Sequence, residues 1–342
     1  MTAVFCRAAA DRKATTWEGL LAPFPHLEFA VSDAAKGIAA AVAQRAEARR
    51  DDPTAPPLEH GLDVFHTAME AHRVLARHWR RAEAAWEKAE GAEAGLAGAK
   101  RQGIDARGKA HAARAAWRRA SAALEEAQRL ESAWGRAAAA LELFDADGQL
   151  NDRTRAEAEI AAALKDLTGP EWSKVRNFLT DPRSLAFLDR MHRRLGVADP
   201  RPEWREAMAW RWWLRHGRVG LADPITELLR GVARGRELDE EERASYERVA
   251  AVLGDTVRAS SAVECMNSVL RMQQSRHRRM TQPMLDLKRL YWNCRPFRSG
   301  PRKEVCPYRA LGLELPTYDF WALLHVDPAQ LAQQLSTQGN AV

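Results

Sequence analysis

Apolar positions along the chain change their period, and the changes mark out three stretches. In residues 1–66 the pattern is one of short apolar runs separated by turn residues. Ala3–Cys6, Leu27–Ser32 (LEFAVS) and Gly61–Phe65 (GLDVF) each predict a short strand. Thr15 and Thr16 precede a predicted helix over Trp17–Leu21, which Pro23 and Pro25 end, and Ala34–Arg49 reads as an alanine-rich helix.

From residue 67 to 257 the period is helical. Leu75, Trp79, Ala82 and Trp86 recur at helix-packing spacing, and Trp117, Ala120, Leu124, Ala127, Trp134 and Leu141 continue the stripe on a second helix, with Glu131 interrupting the seam. Between them Gly91–Gly108 carries five glycines and predicts the tip of a long antiparallel hairpin. Further helices are expected over Thr154–Leu167, Glu171–Leu179, Ser184–Leu195, Trp204–His216, Ile225–Ala233 and Glu240–Leu253, with Asp152 or Asn151 and then Asp239 as N-caps. Trp204, Trp210, Trp212 and Trp213 crowd one helix and predict a tryptophan-rich core in preference to a base-stacking surface. Asp145–Asp152 (DADGQLND) fails as a calcium loop, because its glycine would put Leu143 at the first ligand position. No internal repeat is evident.

Composition narrows the class. Apolar runs fall far short of the ~20 residues that span a bilayer, and the first residues lack the apolar run of a secretory signal, so a cytoplasmic protein is expected. Cys6, Cys265, Cys294 and Cys306 form no C-x-x-C pair, and with His277 they match no standard zinc spacing; ordinary thiols are expected. The net charge is +6, yet residues 258–309 alone hold 12 Lys/Arg against Glu264, Asp286 and Glu304, a local balance of +9. Basic character concentrated in this way is the expected footprint of a nucleic-acid partner.

That basic stretch contains the chemistry. Ser260 and Ser261 can cap a helix whose first turn holds Glu264, and Asn267, Ser268 and Arg271 share its face at three, four and seven residues. The helix then runs into Arg276, His277, Arg278 and Arg279. A carboxylate beside a polar face and a basic end suits a metal-bound acid meeting a phosphodiester; spacing alone favours a solvent-facing glutamate on a surface helix.

Ser260, Ser261, Val263, Glu264, Asn267, Ser268, Leu270 and Arg271 form S-S-x-V-E-x-x-N-S-x-L-R, which resembles the acidic-helix motif of DDE-type insertion-sequence transposases. Leu285–Phe297 (LDLKRLYWNCRPF) is similar to that family's C-terminal segment. Val31–Val42 is similar to its strand-end aspartate with the following helix, and Leu62–Leu75 to the D-x-F-H element that leads into a helical insertion. The resemblance implies an RNase H-like catalytic domain with two aspartates and a glutamate holding two Mg²⁺ or Mn²⁺ ions. Ions roughly 3.5–4 Å apart would activate the nucleophile and stabilise the leaving oxygen.

The fold expected is therefore mainly α with a partial α/β part: a truncated RNase H-like fold with a long helical insertion. Its parts are a segment over 1–66, the insertion over 67–257, and the acidic helix with a basic helical segment over 258–342. Asp33 and Glu264 are the expected metal-binding, catalytic carboxylates, with Asp63 as the alternative aspartate and His66 and Asn267 as positioning groups. Arg271, Arg276, Arg278, Arg279, Lys288, Arg289 and Arg295 are the expected DNA contacts. The family's first aspartate finds no counterpart, because Asp11 is the sole aspartate before Asp33 and ADRKATTWEG reads as a loop. The resemblance thus implies a truncated, inactive transposase that binds the ion weakly or not at all, or else a longer native protein that starts upstream of Met1. The competing readings are a non-enzymatic helical DNA-binding protein and a hairpin-mediated homo-oligomer.

Overall fold

The computed structural model describes residues 11–33, 35–50, 52, 55–145, 147–216, 228–229, 231–232, 235–258, 281–298, 303–331 and 333. The chain is mainly helical, with one small parallel sheet, and its contacts divide it into two compact units, each discontinuous in sequence.

The larger unit, residues 27–35 and 56–259, holds the sheet and the hairpin. Strand β1 (Phe29–Ser32) pairs in parallel with β2 (Glu59–Leu62) in the register Phe29 with Glu59 through Ser32 with Leu62. The expected Gly61–Phe65 strand is displaced. It starts at Glu59 and stops at Leu62, because the Asp63 carboxylate accepts the Phe65 amide (2.9 Å) and turns Val64 and Phe65 into the first turn of a helix.

That helix, α3 (Val64–Arg101), and α4 (Arg107–Ala140) form the antiparallel hairpin, each about 50–55 Å long at 1.5 Å per residue. Two details of the expected hairpin are corrected. Gly91, Gly95 and Gly98 lie inside α3, and the tip is only Gln102–Ala106, where Gly103 takes φ 67°. The seam is mostly alanine: Ala71, Ala82, Ala89 and Ala99 face Ala113, Ala116, Ala120 and Ala127. Small side chains let helices approach closely, which excludes Trp86 to the flank, where its ring meets Trp117 edge-on at 4.9 Å. Glu131 is exposed beside the seam and does not interrupt it.

The root of the hairpin enters the main core. Leu130, Trp134 and Leu141 join Val74 and Leu75, residues of α5 (Arg153–Leu164), α6 (Ser173–Leu179) and α7 (Ala186–Ala198), and the fully buried Trp172. Asp152 caps α5 by accepting the Arg155 amide (2.9 Å), whereas buried Asn151 donates to the Ala139, Ala140 and Glu142 carbonyls that end α4. Short 3₁₀ turns at Pro170–Trp172 and Pro182–Leu185 take the first residues of the helices expected from Glu171 and Ser184.

Helix α8 (Pro202–His216) packs through Met208, Ala209 and Leu214, so its four tryptophans form the flank of the core and not its centre. Trp212 stacks on Phe144 (5.7 Å), Trp213 covers Gly148, and Trp210 stays exposed. Helix α9 (Glu240–Gly254) begins with a reciprocal capping box between Asp239 and Glu242. Its Ser245 donates to Asp199 (2.6 Å), a fully buried carboxylate that Arg201 and Arg248 also grip. Most of the Ile225–Ala233 helix lies outside the described residues.

The second unit, residues 1–26, 36–55 and 260–342, contains α1 (Ala14–Leu21) packed on α2 (Lys36–Ala48). Helix α1 starts earlier than expected, so Thr15 and Thr16 lie within it, and Asp11 accepts from the Lys13 amide and the Thr16 hydroxyl. Toward the C-terminus, α10 (Gln282–Cys294) contacts α11 (Pro307–Ala310) and α12 (Phe320–Leu323). Ala3–Cys6 lies outside the described residues. Among them, no helix is long and apolar enough to cross a membrane.

Candidate functional site

Two parallel strands end side by side, and each is followed by an aspartate. The Asp63 amide donates to the Ser32 carbonyl (2.8 Å), extending the ladder one step past Leu62, so Asp33 and Asp63 leave the sheet at its carboxyl end. This is the end at which open α/β sheets build ligand sites.

The two carboxylates differ in surroundings. Asp33 is exposed, with one oxygen accepting the Ala35 amide (3.2 Å). Asp63 is buried at 1% exposure, caps α3 through Oδ1 and faces His66 Nε2 at 3.6 Å through Oδ2. Asp63 is thus held by the fold, and Asp33 faces solvent.

The segment that precedes Glu264 is anchored at the same end. The Val64 amide donates to the Arg258 carbonyl (3.1 Å), while the Arg258 guanidinium bonds the Leu141 carbonyl and the Glu142 carboxylate. Glu264 follows six residues later, together with Asn267, Arg271, Arg276, Arg278 and Arg279; all lie outside the described residues, as do Cys265 and His277. Of the other expected DNA contacts, Arg295 is exposed at the end of α10, Lys288 is half-buried, and Arg289 reaches Asp286 (3.5 Å). These three belong to the second unit.

A polar chain crosses the same strands. Ser32 Oγ and His60 Nε2 are 2.8 Å apart, and His60 Nδ1 lies 3.3 Å from Arg183 Nη1, whose guanidinium grips Asp181. A guanidinium only donates, so Nδ1 accepts and Nε2 carries the proton, which it gives to the serine oxygen. Burial, and then the Arg183 charge, hold His60 below the ordinary histidine range. A histidine that already holds its Nε2 proton cannot deprotonate Ser32, so the trio ties β1 and β2 to the turn before α7 and is no nucleophilic centre.

The cysteines offer little reactivity. Cys294 and Cys306 are buried and free, and burial, with help from Cys306 and Asp319, pushes the Cys294 thiol up to about 11. Among the described residues no group of three or more His, Cys, Asp or Glu side chains converges to hold an ion.

The sequence did not signal one feature of the larger unit. A cavity of about 670 Å³ opens between the Asp147–Asp152 turn and α8, lined by Asp152, Arg155, His192, Glu203, Glu206 and Trp210. Its wall is mixed in charge: Arg155 is drawn to Asp145 (2.5 Å), and His192 Nε2 meets the Asn151 carbonyl (2.7 Å). Gly148, in the turn that forms one wall, takes φ 78°. Comparisons of this chain with family models, with curated proteins and with solved structures found no match.

Proposed function

We propose that this chain derives from a DDE-type transposase, a DNA strand-transfer enzyme with an RNase H-like catalytic core. Its surviving metal-binding carboxylates are Asp33 and Glu264. The observation that carries the reading is the common exit of Asp33 and Asp63 from the parallel β1–β2 pair, with Arg258 bonded beside them at the start of α3. Glu264 follows Arg258 by six residues in the sequence.

The donor set fits a hard divalent cation. Mg²⁺ and Mn²⁺ favour carboxylate oxygens and keep several waters, so the exposed Asp33 and the glutamate of the motif would suffice for one weakly held ion. When bound, that ion would polarise a phosphodiester oxygen. Asp63 and His66 support the start of α3, and Asn267 with the following arginines would meet DNA phosphates. The family's first aspartate has no counterpart in these residues, so this chain alone is expected to bind the ion without cutting DNA.

The test is Mn²⁺ titration of the whole chain, read as loss of the free-ion signal in electron paramagnetic resonance. Asp33→Asn and Glu264→Gln should each weaken binding at least tenfold, and Asp63→Asn should weaken it less. Ion binding untouched by Glu264→Gln removes the assignment.

A further inference from the structure

The hairpin carries a second concentration of charge, far from the sheet. Residues 94–120 hold Lys100, Arg101, Arg107, Lys109, Arg114, Arg118 and Arg119 against a single carboxylate, Asp105, a local balance of +6. All of these side chains are exposed. The ion pair seen among them joins Arg107 to Asp105 at 3.5 Å.

The helix period orders the basic side chains. Arg107, His111, Arg114 and Arg118 follow at spacings of four, three and four, which puts them on one stripe of α4. At 100° per residue that stripe lies opposite Ala113, Ala116, Ala120 and Ala127, so it faces away from α3. Toward the root, the same stripe continues through Arg129 and Arg136, and there both arginines are tied to Asp166 (3.2 and 2.9 Å). The fold neutralises the root of the stripe; in the distal half, among the described residues, the carboxylate partner is Asp105.

We propose that the distal face of α4, Arg107 to Arg118, is a docking surface for the phosphate backbone of double-stranded DNA. Charge complementarity selects this occupant. The stripe runs about 16 Å, and duplex DNA presents one negative charge per ~1.7 Å of axis, a continuous row that matches it. A second copy of the chain offers less. Its acidic runs complement the +6 of the tip poorly: Glu83–Glu93 on α3 nets −3, and of the five carboxylates in Glu237–Glu242 two are already paired, Glu241 with Arg201 and Glu242 with Arg236. The choice of DNA as the duplex rests on the function proposed above; the surface is independent of the ion site.

The experiment measures duplex DNA binding by the full chain in EDTA across 50–200 mM salt. Three arginine–phosphate contacts make affinity fall on the order of 40-fold over that range. Arg107→Gln/Arg114→Gln/Arg118→Gln, all exposed and off the seam, should keep the circular dichroism spectrum. It should lower the slope of log K against log salt by about 3. A control of equal charge on α3, Arg77→Gln/Arg80→Gln/Arg81→Gln, should leave the slope within one unit of wild type. Three results overturn the proposal: a wild-type slope in the tip variant, an equal loss in the control, or a changed sedimentation coefficient with DNA binding intact. The last would give the face to a second copy. Because EDTA removes the ion, failure here leaves the Asp33–Glu264 reading standing, and failure of Mn²⁺ binding leaves the tip result standing.

Discussion

Asp33 and Asp63 stand one step beyond the last register pair of two parallel strands, yet the fold treats them oppositely. Asp63 is buried as the cap of α3, and Asp33 is exposed. Asp63→Ala removes the cap and opens a buried polar gap, and should cost about 1–2 kcal/mol. Asp33→Ala should change stability by less than about 0.5 kcal/mol. Urea denaturation of both variants separates a structural aspartate from one left free for chemistry.

The glycines inside α3 predict a gain. A Cβ at Gly91 or Gly95 would meet nothing within 4 Å. Gly91→Ala and Gly95→Ala should each raise stability by about 0.5–1 kcal/mol, since alanine loses less backbone entropy in a helix. A drop in melting temperature would mean that the tip begins at Gly91 in solution.

Gly148 predicts the reverse. It sits at φ 78°, and a Cβ there would lie 2.4 Å from the Trp213 ring. Gly148→Ala should cost about 1–3 kcal/mol through strain and displacement of the indole, measured as a lowered urea midpoint with altered tryptophan fluorescence.

Asp199 predicts a pH dependence. The Arg201 guanidinium, and then the Ser245 hydroxyl, hold this carboxylate far below its usual range. A depressed folded value means that the stabilisation is complete above the unfolded value, near pH 4, and fades as pH falls further. Arg201 and Arg248 are partly exposed, so Asp199→Asn should cost about 2–3 kcal/mol at pH 7. The gap from wild type should narrow from pH 4 toward pH 2 in urea unfolding.

Much of this architecture was legible in the sequence. The spacing of Leu75, Ala82, Trp117, Ala120 and Ala127 foretold two long helices, because a 3.6 period sustained over many turns has few other solutions. Which residues fill the seam was not legible: apolar size pointed to Trp86, whereas close helix approach selects Ala89. The glycines misled in the same way, because a turn signal is local and the packing of α3 on α4 is not. Leu27–Ser32 read correctly as a strand, but Val64 and Phe65 have strand-like side chains and became helix once Asp63 capped them. The motif around Glu264 rests on sequence alone. The structure contributes the neighbourhood of its anchor at Arg258, along with the unforeseen cavity beside α8.

The most direct measurement asks whether one ion sits between Asp33 and Glu264. Fe²⁺ substituted for Mg²⁺, with ascorbate and peroxide, cuts backbone close to the bound ion, and mass spectrometry locates the breaks. Cuts clustered near residues 31–35 and 262–266, suppressed by excess Mg²⁺ and by either Asp33→Asn or Glu264→Gln, are the predicted result. Cuts at one segment alone, or scattered cuts indifferent to both substitutions, would contradict a shared metal site.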